Sequence, residues 1–168
     1  MQIPKGKAVL TREFLINTPK NLRQQEIFYH ICGYQRGNGI KEEFDKISRM
    51  IKGYQMIWTL WHLQGEVNNG GHFQYFDNFE ANNQVKEPYY KLTNEFIVMI
   101  GCTKLSKNFL KSLEIYNRCR ECEDDVESDK IGEEMNEVDN MFYENESVFI
   151  QAIDDYIEAN LNEFVTKE

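Results

Sequence analysis

Apolar residues along this chain recur at the three- and four-residue spacing of amphipathic helices, and no stretch alternates convincingly with the two-residue period of a strand. The densest apolar run spans residues 54–63, where seven of ten positions are apolar and both tryptophans, Trp58 and Trp61, are found. A helix that is apolar on nearly all faces has no side left for water, so we predict a buried central helix here. Gly70-Gly71 and a second aromatic run follow, which predicts a tight reversal and a short helix folded back beside the first.

The flanking sequence predicts further helices packed around this centre. Helix starts and stops are indicated by prolines after a cap and by a terminal glycine, as at Thr18-Pro19, Glu87-Pro88 and Gly101. One apolar stripe contains Ile47 and Ile51, and the last helix is predicted to place Phe149 and Phe164 inside. We expect residues 119–132, acidic and short of apolar residues, to form a loop or frayed helix start, with two separate helices after it. The prediction is an all-α, single-domain bundle of about seven helices around a buried central helix, covering residues 1–168.

Charge divides the chain unevenly. Residues 1–65 hold ten Lys/Arg and five Asp/Glu, residues 66–118 hold six of each, and residues 119–168 hold three against seventeen. The last third therefore carries a net charge of −14 within a chain of −9. Such a field repels nucleic acid and attracts basic surfaces, which predicts a basic protein partner and no direct nucleic-acid binding.

Location is predicted from what the sequence lacks. The first twenty residues show no continuous apolar core of a signal peptide, and no stretch approaches the length of a membrane span. Four cysteines without a secretory signal are typical of a reducing compartment, so we predict a cytoplasmic protein.

The segment around the paired glycines carries a specific motif, Glu66-x-Asn68-Asn69-Gly70-Gly71 followed by Gln74-Tyr75. This E-x-N-N-G-G-x-x-Q-[YF] pattern resembles a family of small acidic all-helical bacterial DNA-mimic proteins. The resemblance implies the fold, and it implies binding to a transcription factor in place of operator DNA, with a homodimer as an expected assembly.

The motif has a structural interpretation and a catalytic one. In the first, Gly70 and Gly71 relax the backbone, the polar side chains saturate backbone groups at the helix ends, and Glu66 accepts from amides that start the next helix. In the second, Glu66 is a general base beside His62 or His72. We favour the structural interpretation, since no second matched carboxylate or nucleophile accompanies Glu66. Its residues are Glu66, Asn68, Asn69, Gly70, Gly71 and Gln74.

Patterns for cofactor or metal chemistry are mostly missing. Cys119-x-x-Cys122 stands alone, without the second ligand pair of a structural zinc site, so ordinary thiols are favoured over a redox pair. The stretch from Asp125 lacks the glycine and the terminal glutamate of a calcium loop. We therefore expect no cofactor, no metal and no enzymatic activity.

The acidic third is the candidate binding surface. If residues 121–146 were one helix, their twelve acids would give a linear charge density close to that of one DNA strand. A solvated, solubilising face is the plain alternative. The predicted partner-binding residues are Glu121, Glu123, Asp124, Asp125, Glu127, Asp129, Glu133, Glu134, Glu137 and Asp139. Asp154, Asp155 and Glu158 are secondary candidates.

Two functions remain open at this point. The first is a DNA mimic that occupies the basic groove of a transcription factor. The second is an immunity- or antitoxin-like module that neutralises a basic toxin or nuclease by the same electrostatics.

Overall fold

The computed structural model describes residues 10–34, 40–80 and 86–165. Those residues form seven α-helices and a 3-10 turn, with no strand among them, which confirms the predicted all-α single-domain bundle. The helices are α1 (Arg12–Asn17), α2 (Lys20–Tyr34), α3 (Ile40–Ile47), α4 (Lys52–Glu80), α5 (Lys86–Met99), α6 (Thr103–Glu121) and α7 (Asp125–Ala159), with the 3-10 turn at Leu161–Glu163.

Helix α4 is the centre of the bundle, as its apolar run predicts. It packs against α2, α3, α5, α6 and α7. Met56, Leu60 and Val67 are fully buried, and Trp58 is nearly so. Because neighbours lie on several sides of α4, apolar residues on nearly every face of its first half find a partner. Within the described residues, no helix combines the length and apolarity needed to span a membrane.

The paired glycines bend α4 back on itself. Gly71 has φ +74°, in the left-handed region that favours glycine, and the backbone at Gly70 also departs from helical geometry. The rings of His62 and Phe79 lie 6.5 Å apart, whereas a straight helix would separate these positions by about 25 Å. The predicted reversal and the short helix beside the first are therefore confirmed.

Helix α5 ends in a Schellman motif. The Cys102 N–H donates to Ile97 O at 3.1 Å and the Gly101 N–H donates to Val98 O at 2.9 Å, with Gly101 at φ +82°. The predicted stop at Gly101 is thus confirmed, and the turn leads directly into α6.

The prediction of a loop or frayed helix start over residues 119–132 is wrong. Helix α6 continues to Glu121 and α7 begins at Asp125, so only residues 122–124 lie outside a helix. The Asp124 side chain caps α7 by accepting the Glu127 N–H at 2.9 Å. Ile131 is 2% exposed, so the sparse apolar positions of this stretch are enough to hold it on the core.

Helix α7 also replaces the two helices predicted after that loop. It runs unbroken for 35 residues, because no residue between Phe142 and Phe149 breaks it and both phenylalanines are buried on the same side. Phe164 is buried as predicted, but it follows the 3-10 turn instead of lying in a helix. Ile51 is 42% exposed, since α3 ends at Ile47 before reaching it.

Candidate partner-binding surface

Glu66 ties the two halves of α4 together. Its Oε2 accepts hydrogen bonds from Gln74 Nε2 and from Asn78 Nδ2, both at 2.7 Å. Gln74 and Asn78 lie one turn apart on the returning half, so a single carboxylate bridges the bend. The predicted roles are therefore corrected: Glu66 accepts from side-chain amides and not from backbone amides, and the two amides serve a carboxylate and not a helix end.

Asp139 from α7 fills the capping role predicted for Glu66. Its Oδ1 accepts the His72 backbone N–H at 2.9 Å and lies 2.6 Å from His72 Nδ1. The returning half of α4 begins here, so the carboxylate meets both an unsatisfied N–H and the positive end of the helix dipole. A Cβ on Gly71 would overlap the Asp139 carboxylate. Glycine is thus required at this position for close approach as well as for its backbone angle.

The prediction that Asp139 belongs to the partner-binding surface is corrected, because its side chain lies between α7 and α4. Its side chain is only 14% exposed and faces α4, away from the outer surface of α7. Its Oδ1 is bonded to His72 within the fold, so we treat it as a structural residue.

The motif asparagines have separate surroundings. Asn68 Nδ2 donates to Glu146 Oε1 at 2.5 Å, and Gln64 donates to the same oxygen at 2.9 Å, which joins α4 to α7. Asn69 is exposed, and its side chain makes no hydrogen bond within the described residues. A Cβ on Gly70 would overlap the Gln74 side chain, so this glycine makes room for the Glu66 bridge.

The catalytic interpretation of Glu66 finds little support in the geometry. His72 is fully buried and bound to Asp139, so substrate has no access to it. His62 packs edge-on against Trp58 at 4.0 Å and against Phe28 at 5.8 Å, and burial lowers its pKa to about 4. A cavity of about 400 Å³ lies between α5 and α6, but neither Glu66 nor a histidine lines it.

The described residues form no metal site, and their two neighbouring thiols are free. They contain no group of three or more His, Cys, Asp or Glu placed to hold a metal ion. Cys119 and Cys122 are half-buried free thiols at the end of α6, where the Cys122 Sγ–H donates to Asp124 O at 3.3 Å.

Most of the predicted partner-binding acids face solvent together. Seven are exposed and have no ion-pair partner among the described residues. They lie at the α6–α7 junction and along the first third of α7. We call these seven the acidic ridge: Glu121, Glu123, Asp124, Asp125, Asp129, Glu133 and Glu137.

Four ridge acids form a regular stripe on α7. Asp125, Asp129, Glu133 and Glu137 follow one another at intervals of four residues, so each lies about 6 Å further along the helix axis. Such spacing keeps the carboxylates on one slowly turning face. Glu123 precedes α7, so it has no helical register with Glu127.

Arg118 of α6 forms ion pairs with Glu127 and Glu134, the two remaining predicted acids. Its guanidinium makes a two-pronged contact with Glu134, at 2.8 and 3.0 Å, and lies 3.7 Å from Glu127. Hydrogen bonding to Arg118 lowers the pKa of Glu134, and the same contact raises the pKa of Arg118. The sequence pattern did not reveal this clamp, because sixteen residues separate Arg118 from Glu134 and only the antiparallel packing of α6 on α7 brings them together.

The secondary candidates near the end of α7 are engaged as well. Lys20 of α2 lies 2.6 Å from Asp155 and 2.8 Å from Glu158, and its hydrogen bonds lower the pKa of both carboxyls. Asp154 is 5% exposed and accepts from Gln24 at 2.8 Å, and burial raises its pKa. Asp154 is buried and Lys20 holds the other two, so none of the three secondary candidates adds a free carboxylate to the surface.

Three exposed lysines of α6 limit the ridge on its inner side. Lys104 donates to Asn145 at 3.3 Å, and the charge of Lys111 acts on Glu134. Lys107 lies between them on the same helix. The middle of α7 therefore borders positive charge. Near the α6–α7 junction the charges of Arg118 and Lys130 pair with Glu127 and Glu134, and the seven ridge acids remain without an ion-pair partner among the described residues.

Comparison with known proteins agrees with the resemblance in the motif. A family model for DMP19-like proteins matches residues 48–160, more than half of the chain. No curated protein and no solved structure matches the chain. The matched segment holds the bent α4, the Asp139 cap and the whole acidic ridge. The chain belongs to the DMP19-like family.

Proposed function

We propose that this protein is a non-enzymatic binding protein that presents the acidic ridge, in place of DNA, to the basic surface of a nucleic-acid-binding protein such as a transcription factor. Membership of the DMP19-like family supports the proposal. The observation that carries it is the stripe of Asp125, Asp129, Glu133 and Glu137, exposed and without an ion-pair partner among the described residues.

The spacing of the stripe can be compared with that of phosphates. One DNA strand carries a charge about every 3.4 Å of axis, and the stripe carries one about every 6 Å. It therefore reproduces about half the density of one strand, and the three junction acids of the ridge add to it. This is less than the count over residues 121–146 predicted, because Arg118 holds two of those acids and Asp139 faces inward.

The ridge is held in place at a cost. Each neighbouring pair of like charges four residues apart destabilises a helix by about 0.2–0.5 kcal/mol. Asp125 is favoured at the start of α7 by the helix dipole, and buried Ile131 and Met135 pin the helix to the core. A face that only had to be soluble would not need the carboxylates in this register.

The experiment captures a partner with the tagged full chain from cytoplasmic extract and then tests whether DNA and this protein compete for it. We expect excess protein to release DNA from the captured partner, with an affinity that falls steeply as salt increases. A partner that keeps its DNA under excess protein would overturn the proposal. A captured nuclease or toxin would favour the immunity-like alternative.

Two charge-matched variants test the surface. Reversal of Asp129, Glu133 and Glu137 to Lys should abolish binding and leave helicity nearly unchanged. Reversal of Glu13, Glu87 and Glu95, exposed acids on α1 and α5, changes the net charge equally and should weaken binding far less. Equal losses in the two variants would show that net charge, and not the ridge, governs binding.

A further inference from the structure

Arg118 lies beside the ridge, on two acids between the ridge acids of α7, in the way a bound cation would. Its guanidinium bridges Glu134 and Glu127, which project from α7 on the side that faces α6. Those two acids lie in sequence between the stripe acids Asp125 and Glu137. The two-pronged contact with Glu134 is the geometry in which arginine, and not lysine, matches a carboxylate.

We infer that Arg118 is an intramolecular competitor of the partner, which must displace this guanidinium with an arginine of its own to use Glu127 and Glu134. The inference rests on the proposed function of the ridge and adds the chemistry of the partner's side chain. The competition also lowers the affinity of the partner, because Arg118 binds Glu127 and Glu134 again whenever the partner leaves.

The exposure of the three side chains makes such displacement feasible. Arg118, Glu134 and Glu127 are 41%, 38% and 48% exposed, so water screens their attraction. Exposed ion pairs of this kind contribute little to stability, so a second guanidinium can replace the first in the same place. A buried pair would not exchange so readily.

Lys20 supplies a matched comparison at the other end of α7. It also holds two carboxylates, those of Asp155 and Glu158, but they lie apart from the ridge. Removing either cation lowers the net charge by the same amount and takes that cation from two acids. One acid of each pair keeps a second, longer contact, from Lys130 to Glu127 at 3.5 Å and from Arg23 to Glu158 at 4.0 Å. Only the loss of Arg118 enlarges the ridge.

The test measures binding of a short arginine homopeptide to the full chain and to Arg118→Gln, Arg118→Lys and Lys20→Gln. We expect Arg118→Gln to bind roughly two- to fivefold more tightly than the wild type, with a steeper salt dependence. The peptide affinity of Arg118→Lys should lie between those of Arg118→Gln and the wild type, since an ammonium holds a carboxylate less firmly than the two-pronged guanidinium does. Circular dichroism of each variant checks that α6 and α7 remain helical.

Two results would overturn the inference. One is equal tightening in Lys20→Gln, which would show an effect of net charge alone. The other is weaker or unchanged binding in both Arg118 variants at full helicity, which would make Arg118 a positioning residue or a bystander. A failure of the DNA competition experiment would overturn the proposed function while leaving the peptide result standing, so the two failures can be told apart.

Discussion

The carboxylate of Asp139 and the backbone of His72 meet at the bend of α4, where Asp139 Oδ1 accepts the His72 N–H at 2.9 Å. The same oxygen lies 2.6 Å from His72 Nδ1, and the His72 side chain is fully buried. One acid of α7 thereby holds the reversal on which the core depends. Glu137 of the ridge precedes it by two residues on α7, so the fold and the proposed binding surface share a helix.

Replacing Asp139 should destabilise the protein. Asp139→Ala removes the acceptor for the His72 N–H and leaves the buried imidazole without its partner, which we expect to cost about 1–3 kcal/mol of unfolding free energy. Urea denaturation followed by circular dichroism measures it. Asp129→Ala, at an exposed position of the same helix, should change stability by no more than about 0.5 kcal/mol. Equal effects of the two substitutions would contradict the assigned role.

Gly71 should tolerate no side chain. Its φ of +74° strains any other residue, and a Cβ would overlap the Asp139 carboxylate. Gly71→Ala should therefore cost at least about 1–2 kcal/mol. Gly132→Ala is the control, because a Cβ there meets nothing within 4 Å and alanine favours the helix by about 0.5–1 kcal/mol. Opposite shifts of the thermal midpoint are expected, and a stabilised Gly71→Ala would refute the strain argument.

Glu66 should matter for stability. Glu66→Gln loses the charge that strengthens the hydrogen bonds from Gln74 and Asn78, a loss of about 1–2 kcal/mol. Asn69→Ala, at an exposed motif position, should remain within about 0.5 kcal/mol of the wild type. Denaturant midpoints compare the two variants, and an unperturbed midpoint for Glu66→Gln would argue for the catalytic interpretation.

Stability should fall in mild acid because of His62. Burial among aromatic rings lowers its pKa from 6.5 to about 4. The unfolded chain therefore binds a proton at a higher pH than the folded protein does. The His62 contribution is complete above about pH 6.5 and is lost as the pH falls toward 4, by roughly 3 kcal/mol at most.

His62→Phe isolates this effect. The ring occupies an aromatic cluster, and its Nδ1 is buried without a hydrogen-bond partner in the described structure, so phenylalanine can replace it. Unfolding free energies at several pH values between 7 and 4.5 should decline less for the variant than for the wild type. Parallel curves would show that His62 does not carry the acid sensitivity.

Local patterns were enough to predict the helical bundle. The apolar run through Trp58 and Leu60 indicated a buried centre, and Gly70-Gly71 indicated the reversal, because both signals act over one or two helical turns. The same local patterns gave the wrong prediction for residues 119–132, which are mostly helical. Their helix is stabilised by a cap at Asp124 and by packing of Ile131, contributions that an acidic, apolar-poor composition does not reveal.

The chain by itself determined the fold class, the hinge at the glycines and the concentration of acid in the last third. Only the tertiary structure decided the role of each carboxylate: Asp139 caps the bend, Glu134 is clamped by Arg118, and Glu133 beside it is exposed with no such clamp. The physical reason is that a carboxylate's charge is local to its residue, whereas its hydrogen-bond donors come from other helices. Which donor it meets depends on how those helices pack.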